Sequence, residues 1–95
     1  MRYQLKIKKE ASDEIGEAFA WYENQKAGLG SEFIKYLETY FDRITQTPLI
    51  YPQTSDQRVA ILERFPYKIV YEIEEHSIVV YAVFHTSRDP EKLNR

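Results

Sequence analysis

Residues 3–7, Tyr3-Gln4-Leu5-Lys6-Ile7, alternate apolar and polar. That period-two pattern predicts a strand with Tyr3, Leu5 and Ile7 on one face. The period then changes. Ile15, Ala18, Phe19 and Tyr22 recur at i, i+3, i+4 and i+7, one apolar stripe of a helix. Ser12 and Asp13 precede it as N-cap candidates, and Asp13 and Glu14 place negative charge at the positive helix end. Gly16 weakens this helix by about 1 kcal/mol relative to alanine, so it must lean on packing. Residues 24–30 form a connector in which Gly28 and Gly30 can take left-handed backbone angles. Ser31 offers a cap to a second helix. There Phe33, Leu37, Tyr40, Phe41 and Ile44 repeat the helical spacing until Thr47-Pro48 stops it. Two amphipathic helices so briefly joined predict an antiparallel hairpin.

The second half of the chain reads differently. Residues 48–57 have loop composition, and 58–62 predict a strand. Over 65–73, Phe65, Tyr67, Ile69, Tyr71 and Ile73 share one parity, and Pro66, Lys68, Val70 and Glu72 the other. Lys68 should therefore face away from the helices if the first set packs beneath them. Glu74-Glu75-His76 is a polar turn. Residues 77–85 are apolar on both parities, which predicts a central strand covered on both faces. Residues 86–95 form a polar tail containing Pro90. One strand, a two-helix hairpin and three strands in a small, mainly antiparallel sheet make an α+β fold. The expected core sets Phe33, Leu37, Phe41 and Ile44 with Ile15 and Phe19 over Leu5, Ile69 and Tyr71. The length of 95 residues, with no repeat or linker, suits a single domain over 1–95.

Composition removes several function classes. With no cysteine, disulfides, thiolate metal sites and cysteine nucleophiles are excluded. No apolar run approaches the roughly 20 residues of a membrane span, and the N-terminus lacks a secretory apolar stretch. A cytoplasmic protein with no membrane partner is expected. Thirteen cations against 15 carboxylates leave a net charge of −2, unlike domains that hold nucleic acid by charge alone. Residues 1–57 carry seven cations and nine carboxylates, and residues 58–95 six of each. Only the second segment could form a basic patch.

An ordered set of short motifs runs along nearly the whole chain. Trp21-Tyr22-Glu23 ends an acidic first helix, then Gly28-Leu29-Gly30 is followed by Phe33, Pro48, Tyr51-Pro52 and Arg58. Arg64-Phe65-Pro66-Tyr67-Lys68-Ile69-Val70-Tyr71 is the sharpest piece, completed by residues 78–84 and His85-Thr86-Ser87-Arg88-Asp89-Pro90. The set resembles the RelE/ParE superfamily of toxins from bacterial type II toxin–antitoxin systems, and its ParE-like branch in particular. The resemblance implies a growth inhibitor, of the kind tied to plasmid stabilisation, that a co-encoded antitoxin protein neutralises. Two targets are open: DNA gyrase, inhibited by binding, or ribosome-bound mRNA, cut as an endoribonuclease. A non-toxic partner-binding domain of the same fold is the third reading. The family's ribosome-dependent cutters tend to be strongly basic, so the acidic balance here tips the expectation towards gyrase.

Metal-free RNA cleavage uses the 2′-OH as nucleophile and needs a base, an acid and cations on the developing phosphorane. His85 is the acid–base candidate, since imidazole titrates near neutrality, with Arg64 as its catalytic companion. Arg58, Lys68 and Arg88 are the candidate phosphate or target contacts, arginine being able to grip phosphate with paired hydrogen bonds. Structural roles compete: His85 can close the sheet, and Arg88 can pair with Asp89. His76 sits in an acidic turn, and two histidines a strand apart, without cysteine, make a weak case for a metal site. No metal or cofactor is expected. Tyr67, Tyr71 and Tyr81 are possible stacking platforms, although the first two share the core parity.

Overall fold

The computed structural model describes residues 3–86. Its elements are β1 (Gln4–Ile7), α1 (Lys9–Gln25), α2 (Leu29–Gln46), β2 (Gln53–Thr54), β3 (Gln57–Ile61), β4 (Tyr67–Glu74) and β5 (Ser77–His85), with a 3-10 turn at Pro48–Ile50. The sheet order is β1-β5-β4-β3-β2. β1 runs parallel to β5, and the other pairs are antiparallel. This is the expected α+β architecture with one strand more: β2 closes a hairpin onto β3 inside the segment read as loop. Ser55, at φ 59°, supplies the turn.

The α2 stripe is buried as its spacing requires: Phe33, Leu37, Tyr40, Phe41 and Ile44 all lie in the core. They meet Tyr67, Ile69 and Tyr71 of β4 and Ile78, Val80 and Val83 of β5. The rings of Tyr22, Phe33, Phe65 and Tyr67 lie 5.0 to 6.2 Å apart, centroid to centroid.

The first helix departs from expectation. It begins at Lys9 after Lys8, which gives no side-chain cap. Ser12 and Asp13 lie inside its first turns: the Ser12 N–H donates to the Lys8 carbonyl at 2.9 Å, and Asp13 pairs with Lys9. Its buried residues are Ala11, Glu14, Ala18 and Tyr22. Ile15 is only half-buried and Phe19 is 36% exposed. The small Ala11 and Ala18 let the helix lie close to the sheet, and Glu14 is accepted there because its Oε1 takes the Val83 N–H at 2.9 Å. Ser31 is likewise not a cap. Gly28 holds that position at φ 89°, and Glu23 of α1 reaches across the hairpin to accept the Gly30 N–H at 2.9 Å.

β5 is central, between β1 and β4, but the helices cover only one of its faces. A register shift opposite Val70/Tyr71 leaves Tyr81 as an extra residue in β5. Ile78 and Val80 before it, and Val83 after it, face the helices. Ala82 and Phe84 face outward and join Val70 and Val59 in a separate small apolar cluster. Residues of both parities of β5 are buried, Val79, Ala82 and Phe84 on the second face being at most 6% exposed, although no helix among the described residues lies on that face.

Tyr71 ties the sheet to the end of α2. Its hydroxyl donates to the Pro48 carbonyl at 2.6 Å. Burial pushes it up to about 12, against an opposing pull from Arg58. The unfolded tyrosine ionises near 10, so the folded state keeps its proton longer. The stability this contributes is complete below about pH 10 and is lost as pH rises towards 12. Alkaline unfolding curves should therefore be steeper for the native chain than for Tyr71→Phe. At neutral pH the same variant should lose about 0.5–1.5 kcal/mol with its hydrogen bond. Superimposable alkaline curves would contradict the assignment.

Candidate functional site

His85 ends β5 opposite Tyr67. Its ring meets the Tyr67 ring edge-on at 5.4 Å, which places it on the helix side of the sheet, half-buried. The strand end is closed by the next residue, whose N–H donates to the Pro66 carbonyl at 2.8 Å. Arg64 stands in the β3–β4 turn at the same end of the sheet. Its guanidinium lies 5.0 Å over Phe65 and pairs with Glu32 in the first turn of α2. The hydrogen bond from Arg64 holds the Glu32 carboxyl below its ordinary range.

Arg58 is elsewhere. It pairs with Tyr71 in the ladder, and its Nη1 donates to the Tyr51 carbonyl at 2.7 Å while Nη2 donates to Gln53 Oε1 at 3.2 Å. It clamps the segment after α2 to the sheet. The four-residue step along β4 from its partner Tyr71 to Tyr67, opposite His85, puts it about 13 Å away along the strand. Lys68 lies on the outer face, as its parity predicts, half-buried between Ile61 and Phe84. Arg88, with Asp89 and Pro90, falls outside the described residues. The four described candidates thus occupy three places and do not gather an acid–base group and free cations around one point. Among the described residues there is no cluster of three histidines or carboxylates able to hold a metal.

Two features were not visible in the sequence. The first is a groove of about 560 Å³ on the outer sheet face. Val59, Val70, Ala82 and Phe84 form its apolar floor, the turn over 54–56 makes one wall and Tyr81 the other. Val70 beside Lys68 hinted at it, but the bulge at Tyr81 that brings Ala82 and Phe84 outward leaves no mark in the alternation. The second is a pair of phenols on α2. Tyr36 and Tyr40 hydroxyls lie 3.4 Å apart, and accept the Arg64 and Glu63 N–H groups at 3.0 and 3.3 Å. Burial pushes Tyr40 up to about 12, whereas the bond to Tyr40 lowers Tyr36. Their partners are backbone groups 23 and 28 residues away, beyond any local pattern.

A strand, a helical hairpin on one face, and further strands in a five-stranded, mostly antiparallel sheet make a fold of the RelE/ParE kind. A family profile described as the ParE toxin of type II toxin–antitoxin systems, parDE, matches residues 5–90. The chain belongs to this ParE toxin family. Among solved structures, a chain of the chromosomal ParDE toxin–antitoxin system from P. aeruginosa superposes with a TM-score of 0.79 at 12% identity, over 90% of this chain and 98% of the other. A chain of the RelBE2 toxin–antitoxin complex from Mycobacterium tuberculosis gives 0.59 at 14% identity, over 90% and 99%. At these identities the two structures show the shared fold. No curated protein matches the chain in sequence. No helix among the described residues is long and apolar enough to cross a membrane.

Proposed function

We propose that this ParE-family toxin arrests growth by binding DNA gyrase, without cutting RNA, and that a co-encoded antitoxin neutralises it by docking on the outer groove. The observation that carries the reading is the dispersal of the candidate catalytic groups. An acid–base group must lie within hydrogen-bond reach of the proton it moves, and phosphate-holding cations must be free to turn to the same centre. His85 packs on Tyr67, Arg64 is held by Glu32 and Arg58 by Tyr51 and Gln53. A binding function needs no such convergence, only a surface with anchor residues. Arg58, Arg64, Lys68 and Arg88 then act as target contacts or supports, and His85 as a packing residue. The antitoxin part is supported by the groove itself, where Ile61 is 59% exposed and Val59 half-buried beside the packed Val70, Ala82 and Phe84, apolar surface that a segment folding as it binds would cover.

Ribonuclease action is the second reading, favoured by one placement: His85 and Arg64 share an end of the sheet. Induced expression separates the two. Growth arrest should come with intact transcripts by primer extension, with reduced supercoiling by purified gyrase, and with His85→Gln as toxic as the native chain within about twofold. Codon-associated cuts that fall by roughly 10²–10⁴ in His85→Gln, the usual worth of a positioned acid or base, would overturn the proposal.

A further inference from the structure

We propose that the outer groove selects and orients a docked helix by charge, Lys68 taking a carboxylate at one end and Glu72 with Asp56 taking a cation at the other. The inference deepens the reading that a partner protein fills this groove, and rests on it. The floor is ordered in rows set by the strand register. Ile61, Lys68 and Phe84 lie side by side, then Val59, Val70 and Ala82, then Gln57 and Glu72. The middle row is wholly apolar. Lys68 is the one cation lining the groove among the described residues, and Asp56 and Glu72 are its carboxylates. Lys8 lies over the Tyr81 ring at 5.5 Å, beside the wall and off the floor.

The occupant is a helix for a reason of backbone chemistry. Across these rows β3, β4 and β5 already use their N–H and C=O groups on one another. An extended segment laid over them would leave its own backbone groups unpaired against valine, alanine and phenylalanine, at high cost. A helix satisfies its backbone internally. The span from β3 to β5, about 10 Å across three strands, accepts a helix about 10 Å wide. The four-residue step from Lys68 to Glu72 covers about 13 Å, which a helix crosses in about nine residues at 1.5 Å each. The partner segment therefore carries a carboxylate and a cation about nine residues apart, flanking an apolar stripe.

The test uses the full chain and three synthetic amphipathic peptides with one common apolar stripe. They carry Glu and Lys, Glu and Glu, or Lys and Lys at the two flanking positions. Calorimetry should show the mixed peptide binding about tenfold more tightly than either like-charged one at low salt, the difference shrinking as salt screens it. Lys68→Glu should transfer the preference to the Lys–Lys peptide. Lys68→Glu combined with Glu72→Lys should restore the mixed preference with the helix reversed. A nitroxide on the peptide N-terminus reads that reversal, since the broadened signals should move between Phe84 and Val79. Equal affinities within about twofold, no binding of any peptide, or burial of this face by a second copy of the chain would overturn the inference. Relief of growth arrest by the neighbouring gene's product is scored separately. Relief without peptide discrimination sinks the charge rule and leaves the antitoxin reading standing; discrimination without relief does the opposite.

Discussion

Phe33→Ala is expected to lower the unfolding free energy by about 3–5 kcal/mol, the usual cost of removing a buried aromatic ring. Domains of this kind have roughly 5–15 kcal/mol in total, so the variant should be close to unfolding at 37 °C. Phe33 is fully buried. Its ring touches Tyr22 of α1, Phe65 of the β3–β4 turn and Tyr67 of β4 at 5.2 to 5.3 Å. It is the point where both helices and the sheet share one aromatic cluster, and alanine would leave a cavity that three rigid rings cannot close. Urea unfolding measures the loss. A value below 1 kcal/mol would mean that the helix hairpin is seated differently on the sheet.

Gly30→Ala should be destabilising by about 1–3 kcal/mol, although alanine is the better helix former by about 1 kcal/mol. A Cβ there would stand 2.6 Å from the Phe19 carbonyl oxygen and 2.7 Å from Glu23 Cγ. The first of these is backbone and cannot swing away, so the two helices must separate. Separation also pulls Glu23 from the Gly30 and Ser31 N–H groups that it caps. Gly16→Ala is the control of opposite sign. Beyond its chain neighbours and its own helix backbone, nothing lies within 4 Å of the added Cβ, so it should gain about 1 kcal/mol from helix propensity alone. Equal melting temperatures for the two variants would refute the close approach at Gly30.

The elements that could be read from the sequence were those whose pattern is set by burial on one side. The α2 stripe from Phe33 to Ile44 and the alternation from Tyr67 to Tyr71 are of this type, and both elements pack as their periods demand. The start of α1 was hidden because Lys8 carries no capping side chain. Ala18 and Tyr22 of its expected stripe are buried, but Ala11 and Glu14 were hidden because they do not look like a core, and Glu14 is buried only by virtue of a strand N–H 69 residues away. The candidate site was legible in part. The outward face of Lys68 followed from parity. Arg58 and Arg64 look like free cations in a sequence, because the groups that hold them, Tyr51, Gln53 and Glu32, come from other segments of the chain.

Glu14 has a further consequence for the chain's behaviour among its own copies. β1 stops pairing with β5 at Val80, so the rest of β5 would present a bare edge, the kind of template on which foreign strands add and fibrils start. Lys8 already donates to the Val80 carbonyl, and Glu14 occupies the Val83 N–H from the side of a helix. An incoming strand would have to evict both and bring its carbonyl dipoles against a buried carboxylate. Strand addition along this part of β5 is thereby blocked, and the outer edges of the sheet are left to β1 and the two-residue β2. The one side chain in this guard is a carboxylate on a helix packed beside that strand.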